Sequence, residues 1–125
     1  MKRQAMAKLI SWKNKTDKMP LIIEGARQIG KTWLMQEFGK NYYENTVYIN
    51  FDINIKVREI FQKNINPYSI INELELLTAS KIDPNNTLII FDEIQECTRA
   101  LLSLKYFYEL APKYNVISAG SFLGV

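Results

Sequence analysis

Residues 21–34, LIIEGARQIGKTWL, place three apolar residues ahead of a glycine and close on Gly-Lys-Thr and a new apolar segment. Leu21–Glu24 therefore reads as a short buried strand and residues 30–38 as a helix, with Gly39 as its stop signal. Between them, Gly25-Ala-Arg-Gln-Ile-Gly30-Lys31-Thr32 fits the phosphate-loop pattern G-x-x-x-x-G-K-[ST]. Each position has its own reason. Glycines let backbone N–H groups wrap a phosphate with no Cβ in the way, and a helix starting near Gly30 points its positive end at the anion. Lys31 reaches the β- and γ-phosphates, and the Thr32 hydroxyl takes a place on Mg²⁺. The expected nucleotide-binding set is Gly25, Ala26, Arg27, Gln28, Ile29, Gly30, Lys31, Thr32 and Trp33.

Outward from the loop, strand and helix signals alternate. Met6, Leu9, Ile10 and Trp12 fall near helical spacing and predict an amphipathic helix over residues 2–14, which Pro20 keeps apart from the first strand. Residues 46–51 (TVYINF) are rich in β-branched and aromatic side chains and predict a second strand. Helices are expected over 55–62, 68–80 and 99–110. The turn signal Asp83-Pro-Asn-Asn86 precedes the continuous apolar run 87–91, which suits a strand buried on both faces, and a fourth strand follows at 115–118. This alternation predicts an α/β fold with a mostly parallel sheet and helices on both faces. We divide the chain into an N-terminal helix and lead-in, residues 1–19, and one core, residues 20–125.

The 125 residues suffice for one domain with a sizeable core, and 47% apolar against 23% charged residues is a globular composition. A single cysteine, Cys97, and no histidine exclude an internal disulfide and the usual zinc ligands. Lys8 interrupts the N-terminal apolar run, and no stretch reaches the roughly 20 apolar residues that span a bilayer. The expectation is a cytoplasmic protein without membrane contact. The net charge of +3 is too small to imply nucleic acid. Lys2, Arg3, Lys8, Lys13, Lys15 and Lys18 do crowd the first eighteen residues. They are read as a solvated helix face in preference to a phosphate-binding patch.

A phosphate loop binds without choosing a reaction, so the second acidic site matters. The strand 87–91 runs into Asp92 and Glu93 at the sheet edge where ligands of such folds sit. Asp92 joins Thr32 as the candidate Mg²⁺ set; Glu93 is the candidate base that orients and deprotonates an attacking water, with Lys31 on the phosphates. Two more catalytic candidates follow from strand ends. Asn50, if its strand neighbours that of Asp92, has an amide that could hold Glu93 off the water. Ser118, at the end of the fourth strand in Ser118-Ala-Gly-Ser121, could sense the γ-phosphate or position water, the alternative being a plain Gly-containing turn. Asn14-Lys-Thr-Asp17 matches a guanine-reading motif but follows an expected helix and precedes the loop, and the Asp-x-x-Gly of GTPases is missing, because Asp92 is followed by Glu93, Ile94 and Gln95. ATP is therefore the expected nucleotide. Arg27 is a contact to phosphate or to a neighbouring subunit, or an exposed loop residue; Cys97 is an inert small residue, and Tyr106-Phe-Tyr108 is helix packing.

The run GARQIGKT, YINF, NTLIIFDEIQ, ALLSLKYFYE and ISAGSFLGV, in this order, resembles the AAA-like P-loop ATPases of bacteria and archaea that carry a C-terminal domain of unknown function. The resemblance implies a three-layer P-loop NTPase core of additional-strand topology, with strand order 1-4-3-2. It also implies a fifth strand, a lid and a further C-terminal domain beyond Val125, so that this chain is a truncated core whose first strand is an apolar edge open to association. It implies the same roles for Lys31, Thr32, Asp92 and Glu93.

The function expected is ATP binding with Mg²⁺-dependent hydrolysis. Self-association, or a partner protein supplying an arginine finger, would complete the site. The alternatives are a non-hydrolysing ATP-binding switch or inactive fragment, and, with less support, a DNA-associated ATPase using the basic N-terminal helix. A small-molecule kinase lacks a visible acceptor site.

Overall fold

The segment Thr87–Asp92, TLIIFD, is buried at every position, which requires a strand flanked by neighbours and covered on both faces. A computed structural model describes residues 2–24 and 29–122 and places that segment inside a sheet. The elements in chain order are α1 (Lys2–Lys13), β1 (Leu21–Glu24), α2 (Ile29–Tyr42), β2 (Asn45–Asn50), α3 (Val57–Lys63), α4 (Pro67–Thr78), β3 (Thr87–Asp92), α5 (Thr98–Leu110) and β4 (Asn115–Gly120), with a 3-10 turn at Ile94–Glu96. All pairings are parallel and the strand order is β1-β4-β3-β2. The order 1-4-3-2 expected from the resemblance is thus the observed one. β4 is buried at every position as β3 is, and among the described residues β1 and β2 are the edges.

Strand alternation divides the core into two layers. Leu88 and Ile90 of β3 and Ile117 and Ala119 of β4 face α1 and α2, where they meet Leu9, Trp12, Met35 and Phe38. Val47 and Ile49 of β2, Ile89 and Phe91 of β3 and Val116 of β4 face α3, α4 and α5. At the centre of that second layer, the Phe91 ring lies 5.5 Å from Phe51, 5.6 Å from Phe61 and 6.3 Å from Phe107, in tilted or edge-on geometry. Of the aromatic run of α5, Phe107 is buried in the core, Tyr106 is half-buried and Tyr108 is exposed, so the packing expected of the run is done by Phe107. Cys97 is a buried free thiol in the same layer.

Three expectations of the sequence reading are corrected, each for a physical reason. Gly39 does not end α2, which runs on to Tyr42. A Cβ at Gly39 would lie 2.3 Å from Thr46 Oγ1, so glycine is there to let the helix lie close on β2. β4 extends past Ser118 to Gly120, because Ile23 and Glu24 of β1 continue to pair with Ala119 and Gly120. The N-terminal cations are not all solvated. Lys18 Nζ donates to the Lys13 carbonyl at 3.1 Å and stands 5.5 Å over the Trp12 ring, while Lys13 Nζ stands 4.9 Å over Tyr43. Burial, and then the charge of Lys13, lowers the pKa of Lys18. These contacts fasten the end of α1 where Trp12 Nε1 also donates to the Met19 carbonyl at 2.7 Å.

Candidate functional site

Parallel strands deliver all their carboxyl ends to one edge of a sheet, and in an open α/β fold that edge is where ligands sit. Here Glu24 is in register with Gly120, and Asn50 with Asp92. α2 starts above the same edge, directly after β1. The expected loop residues Gly25, Ala26, Arg27 and Gln28 lie outside the described residues. Ile29 begins the helix. Gly30, the second residue of α2, has nothing within 4 Å of a Cβ position among the described residues, so packing does not demand a glycine there. Lys31 is half-buried and Trp33 is 44% exposed.

The centre of the edge is the Asp92 carboxylate, which is only 3% exposed. Burying a charge is costly unless it is hydrogen-bonded, and three donors meet it. Thr32 Oγ1 donates to Asp92 Oδ2 at 2.6 Å across 60 residues of chain. Tyr48 Oη donates to the same oxygen at 2.6 Å, and the Glu93 N–H donates to Oδ1 at 2.9 Å. The structure thus brings together Thr32 and Asp92, the two residues expected to share a cation. Hydroxyl and carboxylate oxygens are the ligands a hard divalent cation takes, so the donor set fits Mg²⁺.

Tyr48 was not anticipated. It stands two residues before Asn50 on β2, on the strand face that also bears Leu88, Ile90 and Asp92 across the ladder. Burial, followed by the hydrogen bond to Asp92, pushes the Tyr48 pKa up to about 12. The phenol is therefore a donor throughout the neutral range. The only signal in the sequence is strand alternation combined with the β2–β3 pairing.

Asn50 is placed as the register requires, but its side chain has other partners than the one expected. Its Nδ2 donates to Tyr48 Oη at 3.3 Å, and its Oδ1 accepts from the N–H groups of Asp52 at 2.9 Å and Ile53 at 3.1 Å. It links the turn after β2 to Tyr48, and through it to Asp92. Ser118 is corrected in position. It is fully buried, its Oγ donates to the Leu21 carbonyl at 3.2 Å, and the residue at the carboxyl edge after β4 is Ser121.

Glu93 follows Asp92 in the left-handed region, φ 53° and ψ 45°, a conformation costly for a residue with a Cβ. That turn directs the chain out of β3 into the 3-10 turn, where the Glu96 N–H returns to the Glu93 carbonyl at 3.1 Å. The Glu93 carboxylate accepts from Gln95 Nε2 at 2.8 Å. Gln95 also escaped the sequence reading, since its approach depends on a backbone turn that no residue preference announces.

A parallel sheet of order 1-4-3-2, a helix opening at the end of β1 and an acidic residue at the end of β3 meet in a match to one family model. Described as AAA domain, it covers residues 17–124. The chain belongs to the AAA domain family. The match takes in every strand and α2 through α5, and starts after α1 has ended. No curated protein matches the chain. AAA domains in general bind ATP and hydrolyse it, generally with Mg²⁺, and the matched segment of this AAA domain contains the whole carboxyl edge. No helix among its described residues is long and apolar enough to cross a membrane.

Proposed function

We propose that this AAA domain binds Mg²⁺-ATP at the carboxyl edge of its sheet and hydrolyses it, with residues 25–33 on the nucleotide and Glu93 on the attacking water. The observation that carries the reading is the 2.6 Å contact between Thr32 and Asp92. It joins the end of the loop pattern to the acidic end of β3, two features 60 residues apart that have no packing reason to meet through polar atoms. The absence of any described neighbour within 4 Å of a Cβ at Gly30 supports the same reading, since a phosphate would use that space.

In this proposal the first N–H groups of α2 and the Lys31 ammonium face the phosphates. Thr32 Oγ1 and Asp92 hold Mg²⁺, which supplies charge neutralisation on the β- and γ-phosphates when bound. Glu93 accepts a proton from water as its oxygen bonds to the γ-phosphorus, and the bond from that phosphorus to the β–γ bridging oxygen breaks to leave ADP. Tyr48 and Asn50 keep the Asp92 carboxylate oriented from β2. A partner or second copy would supply an arginine finger, worth about 10³–10⁵ in rate. β1 is a candidate contact, since it is an edge among the described residues with Ile22 40% exposed. The finer assignment, to the bacterial and archaeal ATPases with a C-terminal domain of unknown function, belongs to the same proposal.

The test is calorimetry of Mg²⁺-ATP binding to the full chain beside Lys31→Ala, with GTP as competitor, followed by multiple turnover beside Glu93→Gln. We expect binding that Lys31→Ala removes, preference for ATP, and turnover that Glu93→Gln lowers by about 10²–10⁴ with binding retained. Absence of binding by folded protein would refute the proposal. Binding without turnover would leave the switch reading.

A further inference from the structure

We propose that Gln95 is the positioning residue that fixes the Glu93 carboxylate and ties it to the end of β4. The inference rests on the reading of Glu93 as the base. The Gln95 side chain is half-buried and spans two strand ends. At one end its Nε2 donates to Glu93 Oε1 at 2.8 Å; at the other its Oε1 accepts from the Ser121 N–H at 3.2 Å. The amide orientation is dictated by chemistry, because a carboxylate can only accept and a backbone N–H can only donate. The same Nε2 stands 3.5 Å from Glu96 Oε2, a longer contact to an exposed group.

A second observation points to the same bridge. A Cβ on Gly120 would lie 2.5 Å from Gln95 Oε1, and its next neighbours are Ile94 Cγ2 at 3.3 Å and Gln95 N at 3.4 Å. The glycine at the end of β4 therefore makes room for the Gln95 amide in particular. β4 stands between β1, which leads into the phosphate loop, and β3, which ends at Asp92. A displacement at the end of β4 is passed through one planar amide to the carboxylate that must face water.

Gln95 engages Oε1 of the Glu93 carboxylate and so restricts rotation of the carboxyl plane. Loss of the bridge should cost orientation at the reacting group and leave the nucleotide contacts of α2 untouched.

The experiment is a double-mutant cycle on the full chain with Gln95→Ala, Gly120→Ala and the pair. Gly120→Ala meets the far end of the flexible Gln95 side chain first, so, with its fold checked by circular dichroism, it breaks the bridge with Gln95 still present. Two quantities are read: kcat and KM for Mg²⁺-ATP, and the ¹³C resonance of the Glu93 carboxyl without nucleotide, assigned with Glu93→Gln. We expect each single change to lower kcat roughly 10- to 100-fold with KM unchanged and to move the Glu93 resonance. The double variant should fall no further than Gln95→Ala. Wild-type kcat in Gln95→Ala, a loss carried by KM, or losses that multiply in the double variant would overturn the inference. If the wild-type chain turns over no ATP, it is the ATPase reading that fails. The resonance then decides the bridge by itself: movement in both single variants without addition upholds it, and no movement in Gly120→Ala overturns it.

Discussion

Replacing Tyr48 with phenylalanine removes one oxygen atom, and with it one of the two donors on Asp92 Oδ2. Thr32 Oγ1 and the Glu93 N–H remain on the carboxylate. Asp92 is 3% exposed, so water cannot replace the phenol without entering the fold. A hydrogen bond to a charged group contributes about 1.5–3 kcal/mol, and Asn50 Nδ2 loses its acceptor in the same stroke. The expected loss of stability is about 2 kcal/mol. With a urea slope of about 2 kcal/mol/M, the unfolding midpoint followed by circular dichroism falls by about 1 M. Binding should respond far less: Thr32 and Asp92 are both retained, and an interaction present with and without nucleotide cancels from the affinity. Calorimetry is expected to give Mg²⁺-ATP dissociation constants within about threefold, roughly half a kcal/mol, of each other. Unchanged midpoints, or an affinity that drops tenfold while the midpoint stays, would refute the reasoning.

The same phenol gives the fold an alkaline limit. Burial and then the bond to Asp92 raise the Tyr48 pKa from 10.0 to about 12. A group whose pKa is higher in the folded protein than in the unfolded chain contributes in full below the unfolded value and loses that contribution as the pH rises through the folded value. Wild-type stability should therefore fall between pH 10 and pH 12 more steeply than that of Tyr48→Phe. Tyr43 and Tyr114, whose pKa values are also raised by burial, are common to both proteins and cancel in the comparison. Parallel stability curves over that range would sink the assignment.

Gly39→Ala should cost about 1–3 kcal/mol in urea unfolding, because the new methyl meets Thr46, a β-branched side chain with few alternative rotamers; a neutral change would mean that α2 can lift off β2. Phe91→Ala empties the space shared by Phe51, Phe61 and Phe107 and should cost about 3–5 kcal/mol, read from the same unfolding curves. Ser118→Ala should lower stability by about 1 kcal/mol through the lost bond to the Leu21 carbonyl while leaving Mg²⁺-ATP affinity unchanged. A loss of affinity in that variant would restore Ser118 as a ligand contact.

How far the sequence could be read depends on whether a residue's partners in space are its neighbours in the chain. The β3 run is legible because burial on both faces demands an unbroken apolar segment, and all six positions of Thr87–Asp92 are buried. Asp92 and Glu93 follow from it directly, since the end of a central strand is the end of its apolar run. The strand order needed the combination of motifs, because nothing local states that β4 lies between β1 and β3. Gly39 misled for a related reason: a glycine near a helix end is also a C-terminal signal, and only the distance to Thr46 on β2 distinguishes a stop from a close approach. Tyr48 and Gln95 are farther from reach. Tyr48 acquires its role from β2 lying beside β3 with Asn50 opposite Asp92. Gln95 acquires its role from Glu93 taking a positive φ, which returns the chain toward the end of β4. Glutamate has no preference for that conformation, and the hydrogen bonds from the Glu93 N–H to Asp92, from Gln95 to the Glu93 carboxylate and from the Glu96 N–H to the Glu93 carbonyl help to hold it there. Strain of order 1–3 kcal/mol persists only where the surroundings over-determine it. Removing the Gln95 contact loosens the Glu93 carboxylate and leaves the two backbone hydrogen bonds of the turn in place, which is why a side chain two residues away is expected to weigh on the reaction more than on the binding.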